Sequence, residues 1–134
     1  GFAKPKEWRR AYAEINDFEQ QLVDHGDIVL KFWMHITKDE QARRFEERRI
    51  TPHKQWKLTE EDWRNRERWD EYELAVNEMV ERTSTKPAPW ILVEGNDKRY
   101  ARIRVLEAVC DALERRLLSG RNSAGTPQSN DAAN

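Results

Sequence analysis

Between Gln41 and Lys57 the chain sets six cations (Arg43, Arg44, Arg48, Arg49, Lys54 and Lys57) against two carboxylates, Glu46 and Glu47. This short segment therefore carries four net positive charges inside a chain whose formal net charge is -1. Arg44 and Arg48 are four residues apart and share one helix face, close to the loop that follows. Guanidinium forks match phosphate oxygens two at a time, and ammonium groups add compact point charges. Phosphoryl transfer needs such groups, because its catalysis is largely positioning and charge stabilisation. A solvated helix face laced with surface ion pairs has the same composition, so spacing alone leaves both readings open.

The elements that must position these cations are legible around them. Ile28 to Ile36 is a nearly unbroken apolar run, which predicts a strand buried on both faces of a parallel sheet. Leu30, Phe32, Met34 and Ile36 fall on one face; Lys31, Trp33 and His35 fall on the other. Thr37 with Glu40 three residues on predicts a capping box, and a helix from Lys38 to about Arg49. Thr51-Pro52 opens a loop holding His53, Lys54, Trp56 and Lys57. Thr59 with Asp62 predicts a second cap, and a helix from about Glu60 to Arg82 with Trp63, Arg66, Trp69, Tyr72, Ala75 and Met79 at helical spacing.

Flanking segments complete the pattern. Residues 1–22 predict a helix, with Pro5 in its first turn and a stripe of Trp8, Tyr12, Ile15, Phe18 and Leu22. Gly26 closes the turn into the strand. Pro87 and Pro89 bar a helix, and Trp90 to Val93 predicts a second strand. Asn96 or Asp97 should cap a last helix to about Leu118, with Ile103, Leu106, Val109, Cys110, Leu113 and Leu117 inward. From Ser119 onward almost nothing is apolar, which predicts a disordered tail over 119–134. A strand, a helical crossover and a second strand predict a parallel pair with a right-handed connection. Two parallel strands leave faces and edges uncovered, so further strands are expected upstream of Gly1 or from another chain.

Other chemistries find little support. A chain of 134 residues fits one domain or a piece of a larger one, and its net charge argues against a general nucleic-acid binder. No apolar run approaches membrane-spanning length, and the N-terminus lacks a signal-peptide pattern. Cys110 is the one cysteine; it is expected to pack in the core, with the reducing cytoplasm as compartment. No Cys/His cluster has metal-ligand spacing, and no G-x-S-x-G or G-x-x-x-x-G-K-[ST] occurs. His35 is expected to satisfy a backbone partner, and nothing visibly pairs with His53. Trp56, between Lys54 and Lys57, could anchor the loop or stack on a base, with packing the expected role. Asn96-Asp97-Lys98, just past the second strand, lies where open α/β sheets bind ligands, yet Asn-Asp is also an ordinary helix cap.

The stretches LKFWMHITKDEQARRFEER, TPHKQWKLTEEDW, RWDEY and PWILVEGNDKRYARI, in this order and spacing, resemble the C-terminal half of a polyphosphate kinase 2 family domain. The wording is most similar to the tandem-domain members that act as polyphosphate:AMP phosphotransferases, and the likeness spans residues 2 to 117. It implies an α/β fold: a fragment of a P-loop kinase-like parallel sheet flanked by helices, mostly helical as a chain, with a helical lid at about 43–66. Residues 1–118 would be the C-terminal portion of the domain. The implied activity moves a phosphoryl group between inorganic polyphosphate and a nucleotide, with Mg2+ as cofactor. AMP to ADP is favoured, and nucleoside diphosphates are the runner-up acceptors.

On matching positions, the resemblance makes Arg44 and Arg48 the cations of the helix entering the lid. Lys54 and Lys57 become lid cations facing phosphates. Arg66 lies on the returning helix with Arg68, and Asp97 and Lys98 match an Asp-Lys pair near the nucleotide. Thr51 stands where the family often has an acid before the lid proline, so no acidic role is expected there. The family's Gly-rich phosphate loop and Asp-Arg-Ser motif, with the Mg2+ carboxylates, would precede Gly1. The chain alone is therefore expected to be inactive, and to associate with that upstream part or with itself. A non-catalytic interaction remnant using the Trp-rich helices, or another P-loop kinase with a nucleoside acceptor, would be the rival readings.

Overall fold

A computed structural model describes residues 3–123, without the side chains of 120–123. The elements run α1 (Pro5–His25), β1 (Lys31–His35), α2 (Lys38–Ile50), the 3-10 helix η1 (Pro52–Lys57), α3 (Glu60–Glu67), α4 (Trp69–Thr83), β2 (Trp90–Glu94) and α5 (Lys98–Ser123). β1 and β2 pair in parallel, with Lys31 opposite Trp90 and His35 opposite Glu94. Among the described residues this sheet has two strands.

The alternation along β1 sorts the layers. Lys31 reaches Glu19 of α1 and the carbonyl of Thr83 at the end of α4, and the Trp33 ring lies 6.1 Å from Tyr72 of α4. That side of the sheet therefore carries α1 and α4. Met34 and Ile36 line a cavity with Ala101 and Val105 of α5, so α5 covers the other side. Burial on both faces of β1 is not what forms: Met34 and His35 are exposed, and the rest of the strand is half-buried. A two-stranded sheet offers too little neighbouring surface for that.

Two glycines fix how the layers meet. Gly26 ends α1 in the left-handed region, at φ 104°, and its N–H closes on the carbonyls of Leu22 and Val23. Arg116 of α5 donates to the Gly26 carbonyl at 3.2 Å, tying the far end of α5 to the turn that launches β1. Gly95 is buried where β2 leaves β1; its N–H donates to the His35 carbonyl at 2.6 Å. A Cβ there would meet that same carbonyl oxygen and the Ile36 side chain, each at 3.0 Å, so glycine lets the end of β2 lie this close to the end of β1.

Several boundaries differ from the sequence reading. The predicted helix over 60–82 is two helices meeting at Arg68, which sits at φ -99°, ψ 28°. The division of labour explains the break. Trp63 of α3 packs edge-on against Phe45 of α2 at 5.1 Å, whereas Tyr72 of α4 faces Trp33 of the sheet. One straight helix would not serve both. α5 continues past Leu118 to Ser123, while 124–134 of the expected tail lie outside the described residues.

The inward face of α5 was also misassigned, except at Val109, which is half-buried. Its buried residues are Ala101 and Ala112, with Val105 and Ala108 half-buried between them. At about 100° per residue these four share one face, small enough for the helix to approach β2 closely. Ile103, Leu106, Cys110, Leu113 and Leu117 lie on roughly the opposite side and are exposed. Cys110 therefore does not pack in a core here.

Candidate functional site

The site begins at Thr37, whose hydroxyl accepts the Glu40 N–H at 3.2 Å and starts α2 directly past β1. The reciprocal half of the predicted capping box does not form. The Thr37 N–H goes instead to the Asn96 side chain at 3.0 Å, and the Glu40 carboxylate grips Arg43 and Arg44, each Nε at 2.7 Å. A bond between two charged groups outcompetes one to a neutral amide. The two guanidinium groups hold the Glu40 carboxyl down at about 2, with the Arg43 hydrogen bonds as the larger cause.

Arg44 is only 16% exposed, and its Nη2 also donates to the carbonyls of Gly95 and Asn96, at 2.5 and 3.1 Å. It thereby clamps α2 to the turn between β2 and α5. Asp97 caps α5, accepting the N–H of Arg99 at 2.7 Å and of Tyr100 at 3.2 Å. The cap leads directly into Lys98, whose side chain is carried against the α2 face.

The consequence is a cavity of about 160 Å³ lined by Arg44, Glu47, Arg48, Lys54, Lys57 and Lys98. Five of its six lining residues are cations from three elements: α2, η1 and the start of α5. Lys54 is paired with Glu47 at 2.6 Å, and this hydrogen bond is the main reason the Glu47 carboxyl lies below its ordinary range. Arg48 meets no carboxylate among the described residues; its guanidinium lies 5.9 Å from the Phe45 ring. Lys57 likewise meets none there, and Lys98 makes no ion pair, although its charge also reaches the Glu47 carboxylate. Five positive groups therefore face one small cavity against the single carboxylate of Glu47, an excess that attracts a polyanion.

Of the seven sequence-predicted site residues, five line this cavity and two do not. Arg66 donates to the Lys38 carbonyl at 2.5 Å and to the Gln41 side chain at 3.1 Å, fastening α3 to the start of α2. Asp97 spends its carboxylate on the α5 cap. Sequence reasoning counted Glu47 only as a charge, although it orients Lys54 within the cavity. Glu40 was read as a cap but orients Arg44; the Glu-x-x-x-Arg spacing was the available signal.

Two further expectations change. Trp56 does not take the packing role expected of it; it is 75% exposed, because the six-residue η1 offers no core to receive it. Its indole N–H donates to the His53 carbonyl at 3.1 Å, and the Lys57 ammonium lies 5.2 Å from its ring centre. The His35 ring bonds no backbone group among the described residues. It lines a cavity of about 470 Å³ with Trp33, Trp69 and Tyr72 on the α4 side of the sheet. Among the described residues no group of three or more His, Cys, Asp or Glu could hold a metal ion, so the Mg2+ implied by the resemblance finds no ligand set in them. No described helix is long and apolar enough to cross a membrane.

Residues 1–120 match the sequence model of the polyphosphate kinase 2 family. The chain belongs to that family. It is 60% identical over 114 residues to a polyphosphate:AMP phosphotransferase of Pseudomonas aeruginosa, covering 85% of this chain and 23% of that protein. It is 42% identical over 107 residues to NDP-polyphosphate phosphotransferase 1 of Ruegeria pomeroyi, covering 80% of this chain and 35% of that one. A crystal structure of a polyphosphate kinase 2 from Pseudomonas aeruginosa superposes with TM-score 0.83 at 58% identity, over 87% of this chain and 25% of that chain. One from Arthrobacter aurescens superposes with TM-score 0.79 at 43% identity, covering 82% and 39%. The chain thus spans between 23% and 39% of the length of these family members, and its fold is that of a polyphosphate kinase 2 fragment.

Proposed function

We propose that this chain is the phosphate-gripping, lid-bearing portion of a polyphosphate-dependent nucleotide kinase. In it, Arg48, Lys54, Lys57 and Lys98 hold polyphosphate or nucleotide phosphates. The single observation that carries the reading is the convergence of five cations on one cavity past the carboxyl ends of β1 and β2, where α/β sheets bind ligands. AMP is the preferred acceptor, because identity is higher to the relatives named for AMP than to those named for nucleoside diphosphates.

The chain's own residues would act by position and charge. Unpaired Arg48, Lys57 and Lys98 offset the charge of consecutive phosphates, which strengthens as charge develops on the transferred group. Arg44 and Glu40 hold α2 against the β2–α5 turn, so that Lys98 faces the lid cations. Lys54, braced by Glu47, gives the lid a fixed positive edge. Mg2+ when bound would offset further phosphate charge, through ligands outside the described residues.

Grafting the chain in place of the matching stretch of the Pseudomonas aeruginosa relative tests this. The hybrid should form ADP from AMP and polyphosphate, and Arg48→Ala, Lys57→Ala and Lys98→Ala together should abolish it. A folded hybrid without activity, or one indifferent to the three substitutions, contradicts the reading. The chain by itself should show no turnover, since its sequence holds no G-x-x-x-x-G-K-[ST] loop.

A further inference from the structure

Trp56 leaves a large aromatic surface open beside the cationic cavity, and its ring packs on no other aromatic ring among the described residues. The 3-10 helix that carries it is braced from three sides. The Thr51 hydroxyl donates to the Glu47 carbonyl at 2.6 Å, Lys54 pairs with Glu47, and the Gln55 amide donates to the Arg49 carbonyl at 2.8 Å. The indole N–H is held by His53, which fixes the ring plane. With its only donor engaged, the side chain offers an incoming ligand a flat π-face. The ammonium 5.2 Å from that ring belongs to Lys57, which also lines the phosphate cavity. A ligand that meets both features carries phosphates at one end and a planar aromatic group at the other.

We infer that Trp56 is a stacking platform for the base of a nucleotide whose phosphates occupy the cationic cavity. The inference rests on phosphates binding in that cavity. Stacking is tolerant of base identity, because every base has a π-face. Trp56 therefore strengthens nucleotide binding in general, adenine and guanine alike, and leaves the choice between them to other residues. Lys57 couples the two halves, lying near the ring and contacting phosphate.

The test is calorimetric titration of the 134-residue chain, as the original sequence and with Trp56→Ala or Trp56→Phe, using ADP, GDP and inorganic tripolyphosphate. Trp56→Ala should weaken ADP and GDP by about tenfold and leave tripolyphosphate within about twofold. Trp56→Phe should retain most nucleotide affinity. Equal weakening of tripolyphosphate would show that the indole merely supports the lid, and unchanged nucleotide affinity would show that no stacking occurs; either overturns the inference. A chain that binds tripolyphosphate but neither nucleotide also overturns it while sparing the cavity reading. A chain that binds no tripolyphosphate overturns both.

Discussion

The two ends of β1 use the same residue types in opposite ways. At the entrance, the Lys31 ammonium bonds the Glu19 carboxylate at 2.6 Å and the Thr83 carbonyl at 2.5 Å, with both charged side chains only 9% exposed. The Trp90 ring lies 5.1 Å away, and its N–H donates to the Thr83 hydroxyl at 2.8 Å. Every charge there is answered, and four elements are locked together. Past the exit, Arg48, Lys57 and Lys98 make no ion pair among the described residues, and five cations share a cavity with one carboxylate. A satisfied charge cluster specifies architecture, whereas an unsatisfied one is available to a ligand. Substitutions should therefore split cleanly, with stability lost at one end and affinity at the other.

The largest effect is expected at the satisfied end. Glu19→Ala strands a buried ammonium and should cost about 3–5 kcal/mol, read as a lowered denaturation midpoint. Replacing both partners by apolar residues, Glu19→Leu with Lys31→Met, should recover most of that loss. If the single substitution is harmless, the ion pair does not lock the layers.

At the open end the sign reverses. Arg48→Ala, Lys57→Ala or Lys98→Ala should each leave stability within about 0.5 kcal/mol. Each should weaken tripolyphosphate binding by about 1.5–3 kcal/mol, roughly ten- to a hundredfold. A melting-temperature loss comparable to the affinity loss would erase the contrast.

Gly95→Ala probes the joint between the two regions. A Cβ 3.0 Å from the His35 carbonyl oxygen forces β2 away from β1, at about 1–3 kcal/mol. It should also displace Lys98 from the cations of α2 and η1. Thermal melts and tripolyphosphate titrations should both worsen, unlike the one-sided effects above.

The smallest effect is pH-dependent. Because its arginine bonds hold the Glu40 carboxyl at about 2 against an ordinary 4.5, the carboxylate stabilises the fold above about pH 4.5. That contribution fades as pH falls through about 2. Glu40→Gln should therefore melt lower than the original chain at neutral pH, with the gap closing in acid. A gap independent of pH would mean that the charge of Glu40 is irrelevant to its grip on Arg44.

How much of this was legible depends on whether neighbours along the chain or across space decide the outcome. Thr37, Pro52, Pro87 and Pro89 act locally, so the start of α2, its end before Pro52 and the arrival of β2 were readable, whereas the segment from Pro52 was read as a loop and forms the 3-10 helix η1. The alternation from Lys31 to Ile36 likewise predicted the two faces of β1, and the intervening helices predicted a parallel pair. α5 was not readable in the same way. It carries two apolar faces, one of small residues at Ala101, Val105, Ala108 and Ala112, one of large ones from Ile103 to Leu117, and periodicity favours the large one. Which face the sheet receives depends on how closely β2 must approach, a fact set by Gly95 and Arg44 in three dimensions. The same limit applied at the site. Charge counting found the cations of α2 and η1, but residue type could not separate Arg66, which is tied to a carbonyl, from Lys57, which lines the cavity without an ion pair.

The central claim is that unanswered positive charge beyond the strand ends takes up a phosphate chain. Its most direct measurement is calorimetric titration of tripolyphosphate into the 134-residue chain and into the Arg48→Ala, Lys57→Ala, Lys98→Ala triple variant, each at low and high salt. Saturable binding by the original chain that weakens with salt, and its loss in a triple variant that melts normally, is the predicted result. No binding by the original chain, or equal binding by both proteins, would contradict the account.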